Sequence, residues 1–156
     1  MVNIKEATID DLKAISEMNL DLFKFETQFG NTYSLEWTFS ENAGQKYFRY
    51  RIEEDENGIV FVAFSDNVPV GYICGCKFRH KARTKQNMAE IENMFVEGNF
   101  RNQGVGKLLI DAFLEKAKKL GAERLKVGAI FENEKAISFY QKNGFKKHEI
   151  ILEKDI

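Results

Sequence analysis

The run Arg101-Asn102-Gln103-Gly104-Val105-Gly106 has the residue types and spacing of a phosphate-binding loop. It lies between an apolar run at 91–96 and a segment at 107–120 with strong helical periodicity. The N–H groups in the first turn of a helix lack partners and lie at the positive end of its dipole, so they can bind an anion. Because Gly104 and Gly106 have no Cβ atom, a diphosphate can approach the main chain closely, and Arg101 adds a positive charge. The alternative is a helix start with incidental glycines.

The spacing of these glycines disfavours two nucleotide-binding loops. A dinucleotide fingerprint needs a third glycine where Leu109 stands. A Walker loop needs glycine in place of Arg101, and serine or threonine in place of Leu108 after Lys107. The hexapeptide therefore indicates a diphosphate site of another kind.

Composition and charge are those of one globular domain spanning residues 1–156. The chain is 44% hydrophobic and 30% charged, and its net charge of −1 gives no general attraction to nucleic acid or anionic membranes. We find no apolar run of transmembrane length and no signal peptide. Cys74 and Cys76 form a C-x-C pair on a predicted strand, which favours reduced thiols and a cytoplasmic location. No further ligands cluster near them, so we expect no metal site.

Hydrophobic periodicity predicts an α/β fold. Strands are predicted at 2–7, 59–65, 68–78, 89–96, 124–131 and 145–152, and helices from a Thr8–Asp11 capping box to about Glu26, at 41–55, at 107–120 and at 133–143. The hairpin turn Asp66-Asn67 implies antiparallel pairing, whereas the helix between 89–96 and 124–131 implies one parallel crossover. The predicted sheet is therefore mixed and mostly antiparallel, with helices on both faces.

Two motifs and the order of elements resemble the GCN5-related N-acetyltransferase (GNAT) family. The first motif is Arg101-x-x-Gly104-x-Gly106, and the second is Asn133-x-x-Ala136-x-x-x-Tyr140-x-x-x-Gly144-Phe145, about 30 residues further on. The resemblance covers essentially the whole chain and is weakest at 27–57 and at the C-terminal end. The segment 91–96 also resembles the diamine and polyamine acetyltransferase branch.

The resemblance implies acetyl-CoA as co-substrate, no metal, and mostly main-chain contacts. Met94 and Val96 would pair with the pantetheine arm as an added strand, and an N–H near Phe95 could polarise the thioester carbonyl. The N–H groups from Gln103 to Lys107 would hold the pyrophosphate. The residues expected to contact the cofactor are Met94, Phe95, Val96, Arg101, Asn102, Gln103, Gly104, Val105, Gly106, Lys107 and Asn133. Asn133 could bind pantetheine, cap its helix, or do both.

The resemblance also suggests catalytic roles for Glu92 and Tyr140. An alkyl ammonium, with a pKa of about 10.4, must lose a proton before it can attack. Glu92 is the candidate base, directly or through water, although it could instead pair with a nearby cation or face solvent. Glu90 is the rival base on the same face, and a bulge in this strand would change that parity. Tyr140 could protonate the departing sulfur, or be a core aromatic beside Phe139.

The acceptor site is expected in the first two helices and their connection, which are rich in acidic and aromatic residues. These residues are Asp21, Glu26, Glu36, Phe29, Tyr33, Trp37 and Phe39. They suit a cationic amine, and the alternative is a solvated surface over an aromatic cluster. The basic loop at 80–85 could contact the CoA 3′-phosphate or an acidic partner, but a solvated turn is favoured.

The sequence therefore predicts an N-acetyltransferase that acts on a small primary amine by direct transfer in a ternary complex. A protein or peptide N-acetyltransferase and a non-catalytic acyl-CoA-binding regulatory module are the alternatives. The resemblance implies a homodimer. Because few residues follow Gly144, the final hairpin is either reduced or its last strand is exchanged between subunits.

Overall fold

The computed structural model describes residues 1–30 and 33–156, and Asn31 and Thr32 of the predicted irregular region 27–40 lie outside the described residues. The strands are β1 (Val2–Glu6), β2 (Gly58–Ser65), β3 (Val68–Arg79), β4 (Asn87–Val96) and β5 (Arg124–Val127). The helices are α1 (Leu12–Glu26), α2 (Gly44–Arg49), α3 (Val105–Lys119) and α4 (Glu134–Lys142), and a π-helical segment, Tyr50–Glu54, continues α2. Among the described helices, none is long and apolar enough to cross a membrane.

The strands form one sheet in the order β1-β2-β3-β4-β5. The first four pair antiparallel, and β4 and β5 pair parallel on either side of the α3 crossover. Asp66 and Asn67 both have positive φ angles, as a two-residue hairpin turn requires. These findings confirm the predicted mixed, mostly antiparallel sheet.

Each face of the sheet carries its own hydrophobic core. Ile59 of β2 packs on the side of α3, whereas its neighbour Val60 packs on the side of α1 and α2. This is the alternation expected of a strand buried on both faces. Phe113 anchors α3 in the first core, and Phe48 anchors α2 in the second. The predicted placement of helices on both faces is confirmed.

A bulge in β4 interrupts the pairing with β3. Cys74 pairs with Asn93 and Gly75 pairs with Ile91, so Glu92 is the extra residue without a partner. Ile91 packs in the core beneath α3, whereas Glu92 and Asn93 both contact side chains on the α1 and α2 face. The β4–β5 ladder also stops at Ile91, and this explains why β5 is shorter than the predicted strand at 124–131.

The predicted strand at 145–152 is wrong. Phe145 packs on the core after α4, but the described residues beyond it form no strand. Ile150, Ile151 and Leu152 are 73%, 81% and 90% exposed. These residues favour extended backbone, but a strand needs an edge to pair with, and this segment meets none within the described part of the chain.

Candidate active site

The loop between β4 and α3 presents main-chain donors. Asn102 and Gly104 have positive φ angles of 60° and 84°, and Gly104 is the N-cap of α3. The first intrahelical bond runs from the N–H of Leu108 to the carbonyl of Gly104, at 3.1 Å. The N–H groups just before Leu108 therefore have no partner within the helix. The loop has the backbone arrangement expected of a diphosphate site.

Gly106 lets α3 pack closely against α4 and β4. A Cβ atom there would lie 2.9 Å from Cζ of Phe139 and 3.2 Å from Cε of Met94. The absence of a side chain thus places the loop beside two residues of the candidate site. The sequence explained this glycine by approach of a ligand, and the structure adds this packing reason.

The polar side chains of the loop and of the first turn of α3 contact other groups of the protein. The Nε atom of Arg101 donates to the carbonyl of Val96 at 2.7 Å, and its guanidinium lies 4.9 Å from the ring of Phe25 and 5.2 Å from that of Phe95. The other contacts are those of Gln103 with the carbonyl of Asn99, at 2.5 Å, and Lys107 with Asp111, at 2.6 Å. Arg101 therefore fixes the loop to the end of β4.

The end of β4 has an unpaired edge on the side of β5. The N–H of Glu97 donates to the carbonyl of Val70 in β3 at 2.9 Å. By alternation along the strand, the peptide groups of Phe95 face β3, whereas those of Met94 and Val96 face the unpaired edge. The contact of Arg101 with the Val96 carbonyl agrees with this orientation. An extended ligand can add to this edge through the remaining main-chain groups.

Tyr140 of α4 lies beside this edge. Its hydroxyl donates to the sulfur of Met94 at 3.9 Å, and its ring contacts those of Phe139 and Phe145. Burial raises the pKa of Tyr140 to about 12, and the negative charge of Glu26 contributes. The phenol therefore keeps its proton near neutral pH.

The Glu92 carboxylate is held by α2 and the π-helical segment. Its Oε2 atom accepts hydrogen bonds from the hydroxyl of Tyr47 at 2.6 Å and from Nε of Arg51 at 3.2 Å. Its Oε1 atom accepts from a terminal nitrogen of Arg51 at 2.8 Å. A carboxylate has about four acceptor positions, so one remains for a water or an amine. Glu92 therefore pairs with a nearby cation, which is one of the alternatives that the sequence analysis left open.

Glu90, the rival base, is also ion-paired. Its Oε1 atom lies 3.2 Å from Nζ of Lys126, its partner on β5. Glu90 is therefore within the paired part of β4, whereas Glu92 lies at the bulge where that pairing stops. Because Ala89 and Ile91 pack beneath α3, alternation places Glu90 on the same face as Glu92, and the bulge moves Asn93 rather than Glu92 out of alternation.

A buried polar network supports the bulge, and it was not predicted from the sequence. Asn19 of α1 is fully buried and donates to the hydroxyl of Tyr72 at 2.9 Å and to Oδ1 of Asn93 at 3.3 Å. It accepts from the hydroxyl of Thr38 at 2.8 Å, and Asn93 donates to the hydroxyl of Tyr47 at 3.3 Å. Through Tyr47 the network reaches Glu92. The one available sequence signal was the spacing Tyr47–Arg51–Asp55, which defines one face of a helix.

The residues expected at the acceptor site divide into two groups. Trp37 packs on Tyr47 at 5.6 Å and on Phe23 at 5.9 Å, and Tyr33 packs on Phe23 at 5.0 Å. Glu26 acts electrostatically on Tyr140 and Tyr72. The second group lies away from these contacts: Asp21 pairs with Lys24, Phe29 packs on Phe25, and Glu36 and Phe39 are exposed. The first group is the better candidate for the acceptor site.

Both cysteines are free thiols with raised pKa values. Burial raises the pKa of Cys74 to about 12 and that of Cys76 to about 11. A thiol must ionise to act as a nucleophile, so both are inert near neutral pH. Within the described residues, no three His, Cys, Asp or Glu side chains form a cluster that could hold a metal ion.

The fold shows the positions of two further predicted features, the helix cap at Asn133 and the basic loop at 80–85. Oδ1 of Asn133 accepts from the N–H of Ala136 at 3.1 Å, so Asn133 caps α4. The basic loop at 80–85 precedes the start of β4, whereas the phosphate loop follows its end, about 30 Å away along the strand. The basic loop therefore does not adjoin the phosphate loop.

Comparison with known proteins shows which family the chain belongs to. Residues 27–145 match the sequence model described as the Acetyltransferase (GNAT) family. The chain belongs to this family. An uncharacterized N-acetyltransferase of Methanocaldococcus jannaschii is 32% identical over 149 residues, which is 95% of this GNAT chain and 62% of the relative. This chain therefore spans less than two thirds of that relative's length.

Two other GNAT-like proteins extend the comparison. A spermidine N(1)-acetyltransferase of Thermoplasma acidophilum is 24% identical, and the match covers 93% of this chain and 88% of the relative. The solved structure of the aminoglycoside N-acetyltransferase AAC(6')-Iy in complex with CoA has a TM-score of 0.78 at 18% identity. The match covers 100% of this chain and 95% of that one. This second likeness shows a shared fold.

Proposed function

We propose that this chain transfers the acetyl group of acetyl-CoA to a primary amine of a small molecule, by direct transfer in a ternary complex. The observation that carries the proposal is the meeting of three features: the unpaired edge of β4, the first turn of α3, and the Tyr140 hydroxyl beside Met94. Family membership in the acetyltransferases supports the same assignment.

The proposed binding mode uses mostly main-chain groups. Pantetheine adds to the edge of β4 at Met94 and Val96, and the N–H groups at the start of α3 hold the pyrophosphate. An N–H next to Phe95, that of Met94 or Val96 on the unpaired edge, polarises the thioester carbonyl. Gly104, at which a Cβ atom would meet no atom within 4 Å, leaves room for this approach, and Asn133 contributes from the cap of α4.

The proposed chemistry has three proton transfers, because the ammonium loses two protons on becoming an amide and the departing sulfur gains one. The amine nitrogen attacks the thioester carbonyl carbon, the C–S bond breaks, and an amide forms. Glu92 takes the ammonium proton, directly or through a water at its remaining acceptor position. Tyr140, which keeps its proton because burial raises its pKa, gives it to the departing sulfur, and the phenolate regains a proton from the second one that the nitrogen loses as the amide forms. Direct attack is favoured because the thiols of Cys74 and Cys76 are too weakly acidic to carry the acetyl group covalently.

The proposed acceptor is a small cationic amine. Tyr47 and Trp37 provide aromatic faces next to the Glu92 carboxylate, and such faces together with a carboxylate attract ammonium groups. Two similar proteins are named for the acetylation of spermidine and of aminoglycosides, which are both cationic amines.

We further propose a cytoplasmic homodimer. The free, buried cysteines suit a reducing compartment, and cell fractionation would test that location. The exposed apolar residues after Phe145 would be covered by a second copy of the chain.

The test of the proposed function is thiol release from acetyl-CoA against a panel of acceptors. The panel contains diamines, polyamines, aminoglycosides, amino acids and short peptides, and calorimetry measures acetyl-CoA binding in parallel. We expect turnover with one class of small cationic amine. Turnover with peptides alone would replace the proposal by a peptide acetyltransferase.

Two negative results have different meanings. Acetyl-CoA binding without turnover on any acceptor would favour the non-catalytic regulatory module. Absence of acetyl-CoA binding would overturn the assignment of the loop and of the β4 edge.

A further inference from the structure

We propose that Arg51 is a positioning residue, which acts through Glu92 and fixes the direction in which that carboxylate accepts a proton. The inference rests on the proposed function, in which Glu92 is the base. It starts from the bulge: because Glu92 is the extra residue of β4, no cross-strand partner restrains its side chain. Another element must hold the carboxylate in place.

Arg51 provides that restraint through two hydrogen bonds. Its Nε and a terminal nitrogen bind the two oxygens of Glu92 at 3.2 and 2.8 Å. A bidentate contact fixes the plane of a carboxylate as well as its position. The Tyr47 hydroxyl adds a third bond, and together they leave the remaining acceptor position of Glu92 in a defined direction.

Arg51 is itself firmly held. Its other terminal nitrogen binds Asp55 at 2.6 Å, and its guanidinium lies 5.4 Å from the ring of Tyr47. The Arg51 side chain is only 16% exposed. Burial opposes its charge, but the hydrogen bonds to Glu92 and Asp55 outweigh burial and raise the pKa of Arg51.

The backbone around Arg51 is also unusual. The N–H of Asp55 donates to the carbonyl of Tyr50 at 2.8 Å, which is the i to i+5 bond of a π-helix. Such segments occur frequently at functional sites. This observation is independent of the side-chain contacts, and it also points to Arg51.

The experiment is a double-mutant cycle on the full chain with Arg51→Met and Glu92→Gln, followed by thiol release. In the unmodified background we expect Arg51→Met to lower kcat about 10- to 100-fold, because a misplaced base costs rate, with KM for acetyl-CoA unchanged. In the Glu92→Gln background the same change should alter kcat by less than about twofold, because Arg51 then has no base to position. Arg51→Lys, which keeps the charge without the bidentate contact, should restore part of the rate.

The matched control is Arg49→Met. Arg49 pairs with Glu53 at 3.6 Å on the exposed side of the same helix, and its loss should leave kcat unchanged. Circular dichroism checks that each variant is folded, and if Arg51→Met unfolds, the cycle is run with Arg51→Lys. Equal effects of the Arg51 change in both backgrounds would overturn this inference alone. Absence of turnover in the unmodified chain would overturn the proposed function, and this inference with it.

Discussion

The two side chains proposed to move protons have opposite surroundings. Tyr140 is enclosed by aromatic rings and the sulfur of Met94, so its environment favours the neutral phenol. Glu92 accepts hydrogen bonds from Arg51 and the Tyr47 hydroxyl, which hold its carboxylate in place. The proposed acid is therefore held in its protonated form, and the proposed base is held in position by hydrogen bonds.

We expect Tyr140→Phe to lower kcat about 100-fold, because the departing thiolate loses its proton donor. Acetyl-CoA affinity should be unchanged, because the ring stays in place. Since the pKa of Tyr140 is about 12, the unmodified chain should show no alkaline loss of kcat from this group below about pH 11. Steady-state kinetics across pH and calorimetry provide the measurements.

The control for Tyr140 is Tyr50→Phe, which removes a hydroxyl from a residue that is 45% exposed. Its kinetics should match those of the unmodified chain. An unchanged kcat in Tyr140→Phe would mean that water protonates the sulfur.

At the scale of the elements, the candidate site depends on how β4 is held between its neighbours. The bulge turns Glu92 and Asn93 toward the same face, and the Asn19 amide connects Asn93 to α1 and to Thr38. The contact of Asn19 with Thr38 is buried, and its contact with Asn93 is half-buried. Loss of a central member would leave buried polar groups without partners.

We therefore expect Asn19→Ala to lower the free energy of unfolding by about 1–3 kcal/mol, the usual cost of buried groups left unsatisfied. Denaturant titration measures the effect. Asn3→Ala, at an exposed position of β1, is the matched control and should change little. Equal stability of the two variants would show that the network does not support the fold.

Much of this arrangement could be predicted from the sequence, because periodicity and turn chemistry are local. The capping box at Thr8 and the hairpin turn at Asp66-Asn67 are both present. The position of the bulge, which turns Asn93 to the same face as Glu92, could not be predicted, since a bulge depends on pairing between distant strands. Arg51 could not be distinguished from Arg49, because both lie in one polar helical segment and only tertiary contacts separate them. The strand expected at 145–152 failed because β propensity does not supply a partner edge.

At the scale of the whole molecule, the two cores are covered by helices, but the C-terminal segment leaves apolar residues in solvent. Ile150, Ile151 and Leu152 are consecutive and largely exposed. A contiguous exposed apolar run is a feature of interaction surfaces. It supports the proposed homodimer.

We expect replacement of these three residues by serine to convert a dimer into a monomer, because the apolar area that drives association is lost. Sedimentation velocity at micromolar concentration measures the change. Val68→Ser, at an exposed apolar residue of the hairpin, should leave the dimer intact. A monomeric unmodified chain would contradict the proposed assembly.

The bulge in β4 also has an evolutionary consequence. Because Ile91 and Asn93 already pair with adjacent residues of β3, deletion of codon 92 would leave a regular ladder between β3 and β4. The same event would remove the carboxylate proposed as the base and leave the loop proposed to bind acyl-CoA unchanged. With the proposed roles of these residues, a descendant would lose catalysis in one genetic step and keep ligand binding, which is a short route from an enzyme to a sensor.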